Sequence, residues 1–301
     1  MNMLEALPLL VVPFLGTLIG VGTVLFLGDS FVGRIHKALL GFAAGVMVAA
    51  AVWSLLIPAM EESAARGSSE WFPAVVGFLC GVGFMLLLDT VIPHLHTDSD
   101  SPEGPRSRLG RSSMLVLAVT LHNIPEGMAI GVVAAGALSG EVGISLGGGL
   151  ALAVGIALQN IPEGAVVSLP LRTLGNSRKK AFAYGAISGI VEPLAALATI
   201  FAIEYIMGVF PYVLAFAAGA MIYVVVEELI PESHDGEHSN IPTIAFAVYT
   251  EIYSESRCLR SPWDLVEPCM LNTAKISRRC LSLALLLLRR AILPLYSFPI
   301  R

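Results

Sequence analysis

Apolar blocks of roughly the length that a helix needs to cross a hydrocarbon core of about 30 Å alternate along this chain with short polar segments. They run near Leu7 to Gly28, His36 to Pro58, Trp71 to Pro93, Met114 to Leu138, Ile144 to Leu171, Ala181 to Met207 and Phe210 to Pro231. Each predicts a membrane-spanning helix. A further block opens with "HSNIPTIAFAV" and then loses its apolar pattern at "YTEIYSESRC". Polar residues inside the blocks are few, so their positions carry most of the information.

Composition agrees with the pattern. Hydrophobic residues make up 55% of the chain and charged residues only 14%, and the mean hydropathy is +0.78, far above that of a soluble domain. The expected class is an all-α integral membrane protein. The first block has no basic residue ahead of it and is long for a signal-peptide core, so it is expected to stay as a helix. The net charge of -5 says less than where the charges sit. Arg34 and Lys37, then Arg106, Arg108 and Arg111, then Arg172, Arg178, Lys179 and Lys180 fall after the first, third and fifth blocks, while the alternate loops carry Arg66 alone. Basic loops stay in the cytoplasm. A cell-membrane protein with its N-terminus outside is therefore expected. Glycines four apart (Gly41 and Gly45, Gly77 and Gly81, Gly185 and Gly189) allow close helix approach. They are compatible with a homodimer without specifying one.

Two blocks carry nearly the same polar insertion: "HNIPEG" from His122 and "QNIPEG" from Gln159. At about 1.5 Å per residue, His122 and Glu126 lie roughly 12 to 18 Å into their helix. Gln159 and Glu163 lie roughly 22 to 29 Å into the next one, and Glu192 about 16 Å into the one after. Three carboxylates from three helices thus reach a similar depth. Residues three and four apart share a helix face, which groups Glu126 with His122 and Asn123, and Glu163 with Gln159 and Asn160. Pro125 and Pro162 each remove a backbone donor and are expected to open the helix locally, at the carbonyls of Leu121 and Leu158. Such backbone is tolerated in lipid where it faces protein or a watery cavity. Because consecutive spans run in opposite directions, the repeated motif implies a local two-fold axis in the membrane plane, a setting for midplane transport sites.

An intramembrane carboxylate costs about 2.5 to 3.5 kcal/mol, and a divalent cation offsets that cost. One imidazole, several amide oxygens and three carboxylates, with no thiolate, suit a hard or borderline metal. Zn²⁺ is the first expectation, with Fe²⁺, Mn²⁺, Co²⁺ and Cd²⁺ open. A lone histidine in an apolar helix is usually structural, and prolines are common in membrane helices. Six candidate ligands on two helices plus a third glutamate strain that plainer account.

"HNIPEG", "QNIPEG" and "SGIVEPLAA" around Glu192 together resemble the ZIP (Zrt/Irt-like) family of divalent metal transporters, in its bacterial GufA-like branch, over about residues 5 to 248. The resemblance implies an eight-helix transmembrane bundle with a binuclear site between helices four and five, aided by helix six. It implies a first metal site of His122, Glu126, Gln159 and Glu163. It implies a second of Asn123, Asn160 and Glu192, with the two glutamates bridging. Some relatives carry aspartate where this chain has Asn160, so the second site loses a formal charge here.

Outside the core, Asp89, His94 and His96 follow the third block, and Glu227, Glu228, Glu232, His234 and His238 follow the seventh. They suggest an exit route to the cytosol. Glu61, Glu62 and Glu70 on the other side would raise the local cation concentration. Acidic and histidine-bearing loops are also commonly just solvated. The expected partners are divalent metal ions and the lipid bilayer, with no nucleic acid. An intramembrane zinc-dependent hydrolase is the alternative, but the chain has no H-E-x-x-H helix.

Composition shifts at about residue 249. Residues 249–301 hold eight of the 18 Lys and Arg and three of the 4 cysteines. Cys258, Cys269 and Cys280 lack metal spacing. The division expected is 1–248 as the transmembrane domain and 249–301 as an anomalous tail, from a frameshift, a fusion or a natural variant, so that the eighth helix is disrupted or replaced. The closing "LSLALLLLRRAILPLYSF" is split by Arg289 and Arg290, which suits an interfacial helix.

Overall fold

The structure, a computed structural model, describes residues 3–26, 33–94, 105, 109–140, 146–202, 205, 207–234 and 239–258. Its elements are helical. In order they are α1 (Met3–Phe26), α2 (Gly33–Ala49), a π-helical stretch (Ala50–Leu56), α3 (Ile57–Ala65), α4 (Trp71–Val91), α5 (Arg111–Ser139) and α6 (Leu146–Thr173). There follow α7 (Arg178–Gly189), α8 (Val191–Phe201), a short 3₁₀ turn (Met207–Val209), α9 (Phe210–Val224), a second π-helical stretch (Val225–Leu229), α10 (Ile230–His234) and α11 (Ile241–Cys258). Among the described residues seven continuous runs are long and apolar enough to cross a membrane, from Ala6–Phe26 to Met207–His234. The chain is an all-α membrane bundle. The seven runs match the seven apolar blocks; α11, which opens the eighth, is helical but falls outside that set.

Local chemistry sets several ends. Gly140 closes α5 in the left-handed conformation at φ 76°, which glycine adopts without a Cβ clash. Ser177 caps α7, its side chain accepting from the Lys180 backbone N–H at 3.3 Å. Between them, α6 keeps Pro162 and Pro170 inside one helix and α5 keeps Pro125.

That continuity corrects one expectation. The sequence predicts local breaks at Pro125 and Pro162, and both helices continue past them. A proline removes one N–H and crowds the carbonyl four residues earlier, yet at neither position does it end the helix. Irregular backbone appears just ahead of three other prolines: in the two π-helical stretches, before Pro58 and Pro231, and at Ile190, where the sixth span divides into α7 and α8 before Pro193. Single π turns in α-helices mark functional positions more often than chance.

Glycine determines which helices touch. α1 lies along α6, where a Cβ on Gly16 would meet the Ala157 carbonyl oxygen at 2.2 Å and one on Gly20 the Ile161 oxygen at 2.1 Å. α4 lies along α9 through Gly77, Gly81 and Gly219, and α2 meets the first turns of α11 through Gly41 and Gly45. α5 meets α8 at Gly127, whose added Cβ would fall 2.2 Å from the Glu192 carbonyl oxygen. The glycine of the first "NIPEG" is thus the contact that brings Glu192 beside Glu126. Contacts divide the chain into Met1–Phe246 and Ala247–Arg301; of the second unit, residues 247–258 are described and helical.

Candidate metal centre

The centre is built on α5, α6 and α8. Glu126 and Gln159 have no exposed surface, and Asn160 and Glu192 are 1% exposed. Gln159 donates through Nε2 to Glu126 Oε1 at 2.5 Å and to Glu163 Oε1 at 3.2 Å, so one carboxamide ties the glutamates of the two motifs together. Asn160 donates through Nδ2 to Glu192 Oε2 at 2.8 Å and to the Pro13 carbonyl on α1 at 3.3 Å. Asn123 donates to the Ser188 carbonyl at 2.9 Å, which anchors α5 against the end of α7. Glu126 lies within electrostatic range of both Glu163 and Glu192.

The unused atoms define what the pocket wants. Glu126 Oε2, Gln159 Oε1, Asn160 Oδ1 and Glu192 Oε1 are buried with no hydrogen-bond partner. Buried lone pairs of this kind are costly unless something electropositive meets them, and all four are oxygen donors of the sort a hard or borderline divalent cation takes. Among the described residues no three His, Cys, Asp or Glu side chains stand together as a ready metal-holding group; the carboxylates meet through amides.

His122 departs from the grouping that spacing suggests. It shares a helix face with Glu126, yet its Nε2 pairs with Glu228 Oε1 in the second π-helical stretch. Glu228 is in electrostatic range of Asp89, Glu232, Glu163 and Glu227. The acidic row therefore continues from the core into the seventh span. Farther along, His94 Nε2 lies 2.9 Å from Asp89 Oδ1, and Tyr223 donates its hydroxyl to Asp89 Oδ2 at 3.1 Å. His94 Nδ1 is 2.8 Å from the Ile92 carbonyl, which only a protonated Nδ1 can face. His234 instead touches Ser233, the Ile230 carbonyl and Thr243. His96 and His238 lie outside the described residues.

On the opposite side, Glu62 is 2% exposed and accepts from Arg66 Nε at 2.6 Å, while Arg66 Nη1 donates to the Met207 carbonyl at 2.6 Å. Of the three acids expected at an entrance, Glu62 is thus buried and paired with Arg66, while Glu61 and Glu70 are exposed. Sequence spacing also missed Tyr223, Ser188 and the α1 carbonyl of Pro13. None of these carries a ligating signature in the one-dimensional pattern.

Residues 93–251 match the family described as ZIP Zinc transporter, which is more than half of the chain. The chain belongs to the ZIP family. Its relatives include "Zinc transporter ZIP11" of Xenopus tropicalis, 36% identical over 73% of this chain and 88% of the relative. The human protein of the same name is 35% identical over 66% and 81%. "Zinc transporter ZIPB" of Bordetella bronchiseptica is 38% identical over 70% of this chain and 67% of the relative, and "Zinc transporter GufA" of Myxococcus xanthus is 37% identical over 61% and 71%. The family match contains both "NIPEG" motifs, Glu192 and the seventh span. ZIP relatives named as transporters leave the hydrolase alternative without support.

Proposed function

We propose that this ZIP-family chain carries divalent cations, zinc foremost, across a cell membrane into the cytoplasm by alternating access around a midplane site. Metal transport follows from family membership. The binuclear site, the direction and the route are our reading. In that reading His122, Glu126, Gln159 and Glu163 hold a first ion, and Asn123, Asn160 and Glu192 a second, with Glu126 and Glu163 shared. The observation that carries it is the set of four unpartnered oxygens buried among α5, α6 and α8.

The unpaired oxygens receive the ion once its hydration is shed. Gln159 and Asn160 hold the carboxylates with their amide N–H groups and keep their carbonyl oxygens for the metal. Glu228 and Asp89 offer the next carboxylates, and His94, His96, Glu232 and His234 complete an exit toward the basic, cytoplasmic side. With its N-terminus outside, the chain takes up metal at the face carrying Arg66. The geometry of the acidic row supports this order, because Glu228 is in range of Glu163 on one side and Asp89 on the other.

Zinc titration of the full-length protein tests the ion count. Two equivalents are expected, with Glu126→Ala removing both because it is shared, and Glu192→Ala removing one. A single equivalent in the unmodified protein, untouched by Glu192→Ala, would reject the binuclear arrangement.

A further inference from the structure

α1 contributes a residue that neither the motifs nor the family match accounts for. Thr17 is 5% exposed, and its hydroxyl has no hydrogen-bond partner. Threonine in an apolar helix normally returns its hydroxyl to a carbonyl three or four residues earlier. Four others in the spans do so: Thr23 to Gly20 at 2.6 Å, Thr90 to Leu87 at 2.9 Å, Thr120 to Val116 at 2.7 Å and Thr199 to Ala195 at 2.8 Å. For Thr17 the carbonyl four residues back is that of Pro13, and that oxygen receives the Asn160 amide instead. Thr17 makes no such bond, and the Pro13 carbonyl on its own helix is held by a residue of the metal centre.

Position agrees. A Cβ added to Gly164 would meet the Thr17 carbonyl oxygen at 2.7 Å, and one added to Gly189 would meet Thr17 Cγ2 at 2.6 Å and Oγ1 at 3.3 Å. Thr17 is therefore wedged between α6, one turn from Asn160, and the end of α7, three residues before Glu192. Asn160 Oδ1 and Glu192 Oε1 are unpartnered in the same region. We propose that the Thr17 hydroxyl supplies a neutral oxygen ligand to the transported cation on the Asn160–Glu192 side, so that α1 forms a third wall of the site. A neutral donor next to Asn160 adds a ligand where this chain lacks a second carboxylate, without adding charge to bury.

This inference rests on the transport reading above. Its test compares Thr17→Val, which keeps the shape and deletes the hydroxyl, with Thr17→Ser, which keeps the hydroxyl. Both are measured as the full chain in proteoliposomes with an internal zinc indicator. KM for zinc should rise about tenfold in Thr17→Val, the scale of losing a supporting group at a metal site, while Thr17→Ser stays near the unmodified value. The metal-free thermal midpoint of Thr17→Val should be unchanged or higher, because a buried hydroxyl without a partner has been removed. An unchanged KM in Thr17→Val overturns the assignment, and so do equal losses in both variants, which would mark a packing role. Glu126→Ala is the control. If it abolishes uptake while Thr17→Val is silent, the Thr17 assignment alone fails; if it transports normally, the site reading fails and takes Thr17 with it.

Discussion

Asn160 holds two acceptors with one amide group, Glu192 Oε2 and the Pro13 carbonyl, and an aspartate there could donate to neither. Asn160→Asp would set a carboxylate against Glu192 and forfeit two buried hydrogen bonds, one to a charged group and worth about 1.5 to 3 kcal/mol. The metal-free protein should melt earlier, and zinc should raise its melting point by more than in the unmodified chain; calorimetry with and without zinc reads both. Protons compete with the metal for the same oxygens, since ligating carboxylates must be deprotonated. Zinc affinity should therefore fall between about pH 7.5 and about pH 5.5, and a flat titration would argue against glutamate ligands. At this scale the sequence was informative where a polar residue interrupts an apolar helix, which is why Glu126, Gln159, Asn160, Glu163 and Glu192 stood out. It was silent on Thr17, since membrane threonines usually satisfy themselves. At His122 spacing gave the face shared with Glu126 but not the pairing with Glu228, which lies on another span.

Helices in this bundle are placed by glycine more than by bulk. Gly77, Gly81 and Gly219 let α4 and α9 meet backbone to backbone, whereas Gly83 on the same helix α4 has nothing within 4 Å. Gly81→Ala should therefore destabilise by about 1 to 3 kcal/mol through overpacking, and Gly83→Ala should leave the unfolding midpoint in detergent close to that of the unmodified chain. The glycine pairs at residues 41 and 45, 77 and 81, and 185 and 189 were legible from spacing, and all six are contact points. Proline was a mixed guide. Pro125 and Pro162 lie inside continuous helices, while the π-helical stretches Ala50–Leu56 and Val225–Leu229 and the helix boundary at Ile190 each lie just ahead of a proline, Pro58, Pro231 and Pro193. A missing N–H is a local fact, but whether a helix opens depends on the neighbours packed round it, and a single sequence does not display those.

For the whole molecule, the apolar blocks located all seven spans, with ends up to seven residues away from those of the helices, because the hydrocarbon thickness dictates their approximate length. Loop charge predicts the sides. In a background without native cysteines, Ser68→Cys should react from outside with a membrane-impermeant thiol reagent and Lys179→Cys should not; the reverse labelling would invert the direction proposed for transport. Every step of the account passes through the glutamates joined by Gln159, so the most direct test is the initial rate of zinc entry into proteoliposomes containing the unmodified chain, Glu126→Gln or Glu163→Gln. Saturable entry in the unmodified chain, lost in both variants while their unfolding midpoints hold, is the predicted result. Equal rates in all three would contradict it.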